Sequence, residues 1–200
     1  MHFDLAELIR SFGYFGVWAI VLIIFFESFL LFFLPGDSLL FIGGFLASTG
    51  SINIWVLVFG CFAAAVLGNN VGYALGQKFG RRFFLRENSR LFTQENLNRT
   101  QDFYDKHGGK TIILARFLPI VRTFAPVVAG IGTMKYKVFT FYNLIGAGLW
   151  AIGLPLAGYY LGKRIDPKVM EANLIWITLG IIVTSLVPSI LHVLLDKKKS

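Results

Sequence analysis

Charge is scarce in this chain. Only 15% of its 200 residues are Asp, Glu, Lys or Arg, against 56% that are hydrophobic, too few polar groups to dress a water-facing surface. Cysteine is scarcer still: Cys61 stands alone in an apolar stretch, which excludes a disulfide framework and any CxxC or Cys/His zinc spacing. His2, His107 and His192 are scattered over a terminus, a polar segment and the last apolar run, so no metal cluster is expected and no cofactor is implied. An embedded serine protease needs a Ser/His pair, and Ser38 has no histidine in a comparable apolar segment. Neither a paired-Asp protease pattern nor the clustered His and Arg of a lipid phosphatase is present, and the expected function is not enzymatic. A cleavable signal is also missing, because the first ten residues carry two acids and one Arg, the wrong polarity for one. The N-terminus is expected to be kept.

What is there points to lipid as the solvent. The net charge of +8 could suggest nucleic acid, but its distribution argues otherwise. Eight Lys/Arg fall between Lys78 and Lys110, three more close the chain at Lys197, Lys198 and Lys199, and the apolar segments carry few. That is the pattern of a positive-inside membrane protein with a cytoplasmic C-terminus.

Asp4 and Glu7 stand like an N-cap and its capping-box partner ahead of Leu5, Leu8, Ile9 and Phe12, which predicts a short interfacial helix over residues 1–13, ended by Gly13 and Gly16. Val17 to Ala47 is apolar but is interrupted by Glu27 and by Pro35-Gly36-Asp37. A span needs about 20 residues to cross roughly 30 Å of hydrocarbon, so the ten or so residues after Asp37 cannot cross unaided. The spacing predicts a re-entrant hairpin over 17–48, with Pro35 and Gly36 at its tip; the alternative is a full span ending near Leu34 that leaves Asp37 at the surface. A first ordinary span is predicted at 54–77, where Gly68, Asn69, Gly72 and Tyr73 allow close helix contact. An amphipathic cytoplasmic segment follows over 78–110.

The apolar run 111–132 is again broken, by Arg116, Pro119, Arg122 and Pro126. Arms of eight to ten residues reach only about 12 to 15 Å as helix, which predicts a second hairpin entering from the opposite side. Two ordinary spans, 139–161 and 174–195, complete an all-α polytopic membrane protein. Opposed hairpins suggest an inverted repeat.

Four ionisable groups then lie within hydrocarbon: Glu27, Asp37, Arg116 and Arg122. Left unpaired they would cost on the order of 10 kcal/mol. They could serve as glue, each acid neutralising an arginine, yet apolar residues of equal volume often do as well. Arginine offers a planar fork that matches phosphate, and an acid in a low-dielectric cavity can exchange a proton near neutral pH. The constellation therefore suits a phosphate-bearing lipid bound by Arg116 and Arg122, with Glu27 and Asp37 as proton-coupling acids. Pro35, Gly36, Asn69, Tyr73 and Pro119 are expected to support the cavity or the hairpin tips. A rival reading is a proton-coupled antiporter for cations or drugs, in which the acids transport and the arginines tune them. The abundant aromatic residues, Trp55, Trp150 and Trp176 included, read mostly as lipid-facing or belt material.

Several motifs resemble a known family: Glu27, the turn Phe33-Leu34-Pro35-Gly36-Asp37-Ser38, the run Gly68 to Gly80, Lys106-His107-Gly108, Arg116-Phe117-Leu118-Pro119, Arg122-Thr123-Phe124 and Ala129-Gly130. In order and spacing they are similar to the bacterial DedA family, whose members share a core with the VTT-domain (SNARE-associated Golgi) lipid scramblases. The resemblance implies two opposed re-entrant helices, the bacterial inner membrane, and a role in lipid homeostasis that for several members is the return of undecaprenyl phosphate to the inner leaflet. Others in the family are tied to proton-motive force and drug tolerance. The family's important acids match Glu27 and Asp37, and its paired arginines match Arg116 and Arg122. Its Gly-Asp pair is Gly68-Asn69 here, which removes an acid from that position.

Overall fold

The computed structural model describes residues 5–28, 36–80, 108–116, 119–132 and 134–165. Pro35, the expected last span 174–195 and all but the two ends of the expected surface segment lie outside these residues. Every regular element among them is helical: α1 (Leu5–Glu27), α2 (Gly36–Ser48), α3 (Ile54–Leu75), α4 (Lys110–Arg116), α5 (Pro119–Ile131) and α6 (Tyr136–Gly162). That is the outcome hydrocarbon imposes, since a helix satisfies its backbone groups internally.

α1 is not divided where the sequence suggested. It runs unbroken through Gly13 and Gly16, since a glycine inside a helix costs only about 1 kcal/mol and does not by itself end it. Over 5–13, the described part of the expected interfacial helix, the chain is the first stretch of α1. The described helix ends at Glu27, and Leu34, where the alternative span would end, lies outside the described residues.

α2 is closed by a Schellman turn. The Ser51 N–H donates to the Leu46 carbonyl and Gly50 N–H to Ala47, with Gly50 at φ 80°, the left-handed position that suits glycine. Three residues later Asn53 caps α3, its side chain accepting from the N–H groups of Trp55 at 2.9 Å and Val56 at 3.3 Å. α3 continues beyond its expected end through a π-helical turn, Gly76–Gly80.

Among the described residues, two helices are long and apolar enough to cross a membrane, Ile54–Gly80 and Tyr136–Gly162. Both are small inside and large outside. Ala64, Ala65, Gly68 and Gly72 of α3 are buried, as are Gly146, Ala147 and Ala151 of α6, whereas Trp55, Phe59, Leu67, Phe141, Leu149 and Tyr160 face outward. Water would punish that arrangement; lipid favours it, because helices in a bilayer associate through close backbone packing.

The short helices pack crosswise. α2, from the first half, lies on α6; α5, from the second, lies on α3 and its π turn. Each seam is backbone on backbone. A Cβ added at Gly44 would strike the Pro155 carbonyl and one at Gly158 the Phe41 carbonyl, while on the other seam Gly76 meets Val127 and Gly130 meets Tyr73 in the same way. At 13 residues each, α2 and α5 extend about 20 Å, short of the hydrocarbon thickness.

Candidate functional site

Crosswise packing brings four helix ends together. Glu27 is the last residue of α1, Asp37 lies in the first turn of α2, Arg116 closes α4, and Arg122 is in the first turn of α5. Helix termini carry partial charges, positive at the N-terminus and negative at the C-terminus. Asp37 and Arg116 therefore sit where the local dipole favours them. Glu27 and Arg122 sit where it opposes them, and these two pair with each other.

Arg122 is the hub. Its Nη2 donates to Glu27 Oε1 and its Nη1 to Asp37 Oδ1 at 2.6 Å. Glu27 is 2% exposed, and the Arg122 and Asp37 side chains are 12% and 16% exposed. The Glu27 carboxylate lies against Gly36, where any Cβ would collide with it, so the expected supporting role of Gly36 has a physical basis in close approach. The simple expectation of one acid per arginine does not describe this site, since both acids are on Arg122.

Arg116 is held differently. It is 6% exposed, and its Nη1 donates to Asn143 Oδ1 at 3.2 Å. Asn69 lies between Asn143, Arg116 and Ser28: in one amide orientation its Nδ2 donates to Asn143 Oδ1 at 2.8 Å, and in the other its oxygen accepts from Arg116 Nη1 at 2.8 Å while its nitrogen donates to the Ser28 carbonyl at 3.0 Å. Asn143 Nδ2 reaches the Val66 carbonyl at 3.2 Å and so ties α6 to α3. Gly68, beside Asn69, admits the end of α1 so closely that a Cβ would meet the Phe25 carbonyl and Ser28.

Trp150 joins the two arginines. Its indole N–H donates to Asp37 Oδ1 at 2.7 Å, and its ring lies 5.2 Å from the Arg116 guanidinium carbon and 5.1 Å from that of Arg122, within range of cation–π attraction. It is 7% exposed, so its reading as a lipid-facing or belt residue is corrected here. Trp55, in contrast, does face outward, and Trp176 is outside the described residues. Asn143 was passed over as well. A lone amide in the middle of a long apolar span was the signal that could have found it, because polar groups at that depth seek partners.

A cavity of about 20 Å³ lies between these groups, reached by Glu27, Ser28, Asn69, Arg116, Arg122 and Trp150. Ile112, Ala125 and Pro126 complete its wall. Its volume suits about one water molecule. Tyr73, expected to support the cavity, is elsewhere: its hydroxyl donates to the Met134 carbonyl and its ring stacks on Phe139. It pins the α5–α6 connection to α3. Pro119 begins α5, where its missing N–H costs nothing.

The chain was compared with known proteins. Residues 34–160 match the VTT domain. It is 46% identical over 204 residues to the protein DedA of Escherichia coli strain K12, covering 99% of this chain and 92% of that protein. It is also 46% identical over 174 residues to an uncharacterized membrane protein of Mycobacterium leprae, covering 86% of this chain and 77% of that one. The inner membrane protein YqjA of Escherichia coli strain K12 shares 32% identity over 131 residues, 66% of this chain and 60% of its own length. No solved structure matches.

Proposed function

The chain belongs to the DedA family of VTT-domain membrane proteins, and from that premise we propose that it carries a phosphate-bearing lipid across the bacterial inner membrane, with undecaprenyl phosphate the leading substrate. The observation that carries this reading is the convergence of two arginines and two acids from four helix ends: Glu27, Arg116 and Arg122 line one cavity, and Asp37 pairs with Arg122 beside it. Arg116 and Arg122 bind the phosphate oxygens, for which a guanidinium fork is suited. Glu27 and Asp37 take up and release protons as the headgroup comes and goes. Asn69, Asn143 and Trp150 hold the charged groups in position. No bond is made or broken in the lipid, and no cofactor takes part.

On this reading α1–α2 and α4–α5 are re-entrant hairpins that enter from opposite faces, and the C-terminus is cytoplasmic. The 13-residue helices and their crosswise docking support it. A cycle would open the small cavity alternately to the two leaflets while the long helices α3 and α6 stay in contact, as in transporters built on broken helices.

The test is lipid transport by purified protein in liposomes, read for each headgroup with and without a pH gradient. Wild type is expected to accelerate the crossing of undecaprenyl phosphate or another phosphate-bearing lipid, and Asp37→Asn and Arg122→Ala to abolish it. Arg116→Lys should impair transport more than folding, since a point charge does not reproduce the fork. Failure to move any phosphate-bearing lipid would remove this function. Proton flux that depends on a soluble cation, without lipid, would replace it with antiport.

A further inference from the structure

The two arginines are not equivalent. Arg122 has both terminal nitrogens on carboxylate oxygens, the geometry it would use for two oxygens of a phosphate. Glu27 and Asp37 thus stand where a substrate headgroup would, as an internal competitor. Arg116 has no carboxylate at ion-pair distance among the described residues. Its partners are neutral amides, and its buried Nε has no hydrogen-bond partner among the described residues. A guanidinium carries five donors and keeps its charge, so this is a buried cation lining a cavity with donor capacity in hand.

We propose that Arg116 is the standing anion receptor of the site and Arg122 a masked one, which the phosphoryl group gains as carboxylates leave it, one of Glu27 and Asp37 leaving and taking a proton for each negative charge of the phosphoryl group. This rests on the reading that the site accepts a phosphoryl group, and adds the order of events and the proton count. The count follows from charge. The cavity is lined by Glu27 of α1, the cations Arg116 and Arg122 of α4 and α5, and the neutral Asn69 and Trp150 of α3 and α6, while Asp37 of α2 and Asn143 of α6 lie behind the lining, on Arg122 and Arg116. The four charges cancel. Adding an anion to a buried neutral set without a compensating proton leaves net charge in a low-dielectric space, so one proton accompanies each negative charge of the phosphoryl group. By linkage the acids and the anion must then weaken one another's binding unless protons are present.

The experiment uses the full chain in detergent, titrated calorimetrically with decyl phosphate and, separately, inorganic phosphate, in two buffers of different ionisation enthalpy. This yields both affinity and protons taken up. Wild type should take up about one proton per singly ionised decyl phosphate bound. The double variant Glu27→Gln with Asp37→Asn, in which Arg122 is unmasked, should bind at least about tenfold more tightly and take up none. Arg116→Gln should lose binding in the wild-type background and regain much of it in the unmasked background, which no misfolded variant would do. Arg116→Lys, keeping a charge, should bind with the proton count unchanged.

Binding without proton uptake by wild type, or Arg116→Gln binding as wild type does, would overturn the proposal. Competition by inorganic phosphate assigns recognition to the phosphoryl group alone, and binding of decyl phosphate only assigns it to the lipid headgroup with its chain; in both cases the proton count decides. If decyl phosphate binds with proton uptake but no lipid crosses liposomes, the transport reading falls and this inference stands. If lipid crosses and Arg116→Gln crosses equally well, the inference falls alone. If neither anion binds wild type, both fall.

Discussion

Replacing Arg122 by Gln removes the only ion-pair partner that Glu27 and Asp37 have among the described residues. The Asp37 contact at 2.6 Å corresponds to about 6 kcal/mol of gross attraction at an effective dielectric constant near 20. Most of that offsets the cost of desolvating the charges, and breaking a buried pair from one side costs a net 3–5 kcal/mol, roughly. With Arg122 and Asp37 retaining 12% and 16% exposure, we expect the lower end, about 3 kcal/mol. At roughly 2–4 °C per kcal/mol for a chain of this size, the melting temperature in detergent should fall by about 6–12 °C. Arg116→Met, which strands no carboxylate, should lower the melting temperature by less than about a third as much. Equal losses for the two variants would refute the account of Arg122 as the hub.

Other outcomes follow from the same contacts. Trp150→Phe keeps a ring beside both arginines but loses the N–H to Asp37, and should cost about 1.5–3 kcal/mol in a melt while reducing lipid transport. Gly158→Val forces a side chain into the Phe41 carbonyl, so α2 must shift from α6 and stability should drop by about 1–3 kcal/mol or more. Tyr73→Phe leaves the Met134 carbonyl without its donor and should cost about 1 kcal/mol. Its transport rate per folded protein should stay near wild type, since Tyr73 is not at the cavity.

The sequence made the site legible through cost. Glu27, Asp37, Arg116 and Arg122 stood out because ionisable groups in hydrocarbon demand an explanation, and the breaks beside Gly36 and Pro119 coincide with helix starts. The partner assignment was hidden. Nothing in a linear pattern says that α2 docks on α6, and without that docking Asp37 cannot be placed beside Trp150, 113 positions away. Trp150 misled because an indole serves equally at a lipid interface and in a core. Gly13 and Gly16 misled because a glycine inside a helix costs only about 1 kcal/mol and does not by itself end it. Tyr73 shares the small-residue face with Asn69, but one helical turn separates them, enough to move it from the cavity to the α5 seam.

The crosswise seams also set a timetable. While the protein is being made, α2 is complete long before α6, whose Gly158 closes on Phe41; at 5–20 residues per second the wait is roughly 5–20 s. During that interval the acids at the ends of α1 and α2 have been delivered to the membrane, but the arginine that receives them has not yet been synthesised. Neither half can complete its own packing, so a truncated chain ending after α3 would be left with two carboxylates that lack Arg122 and an open glycine seam.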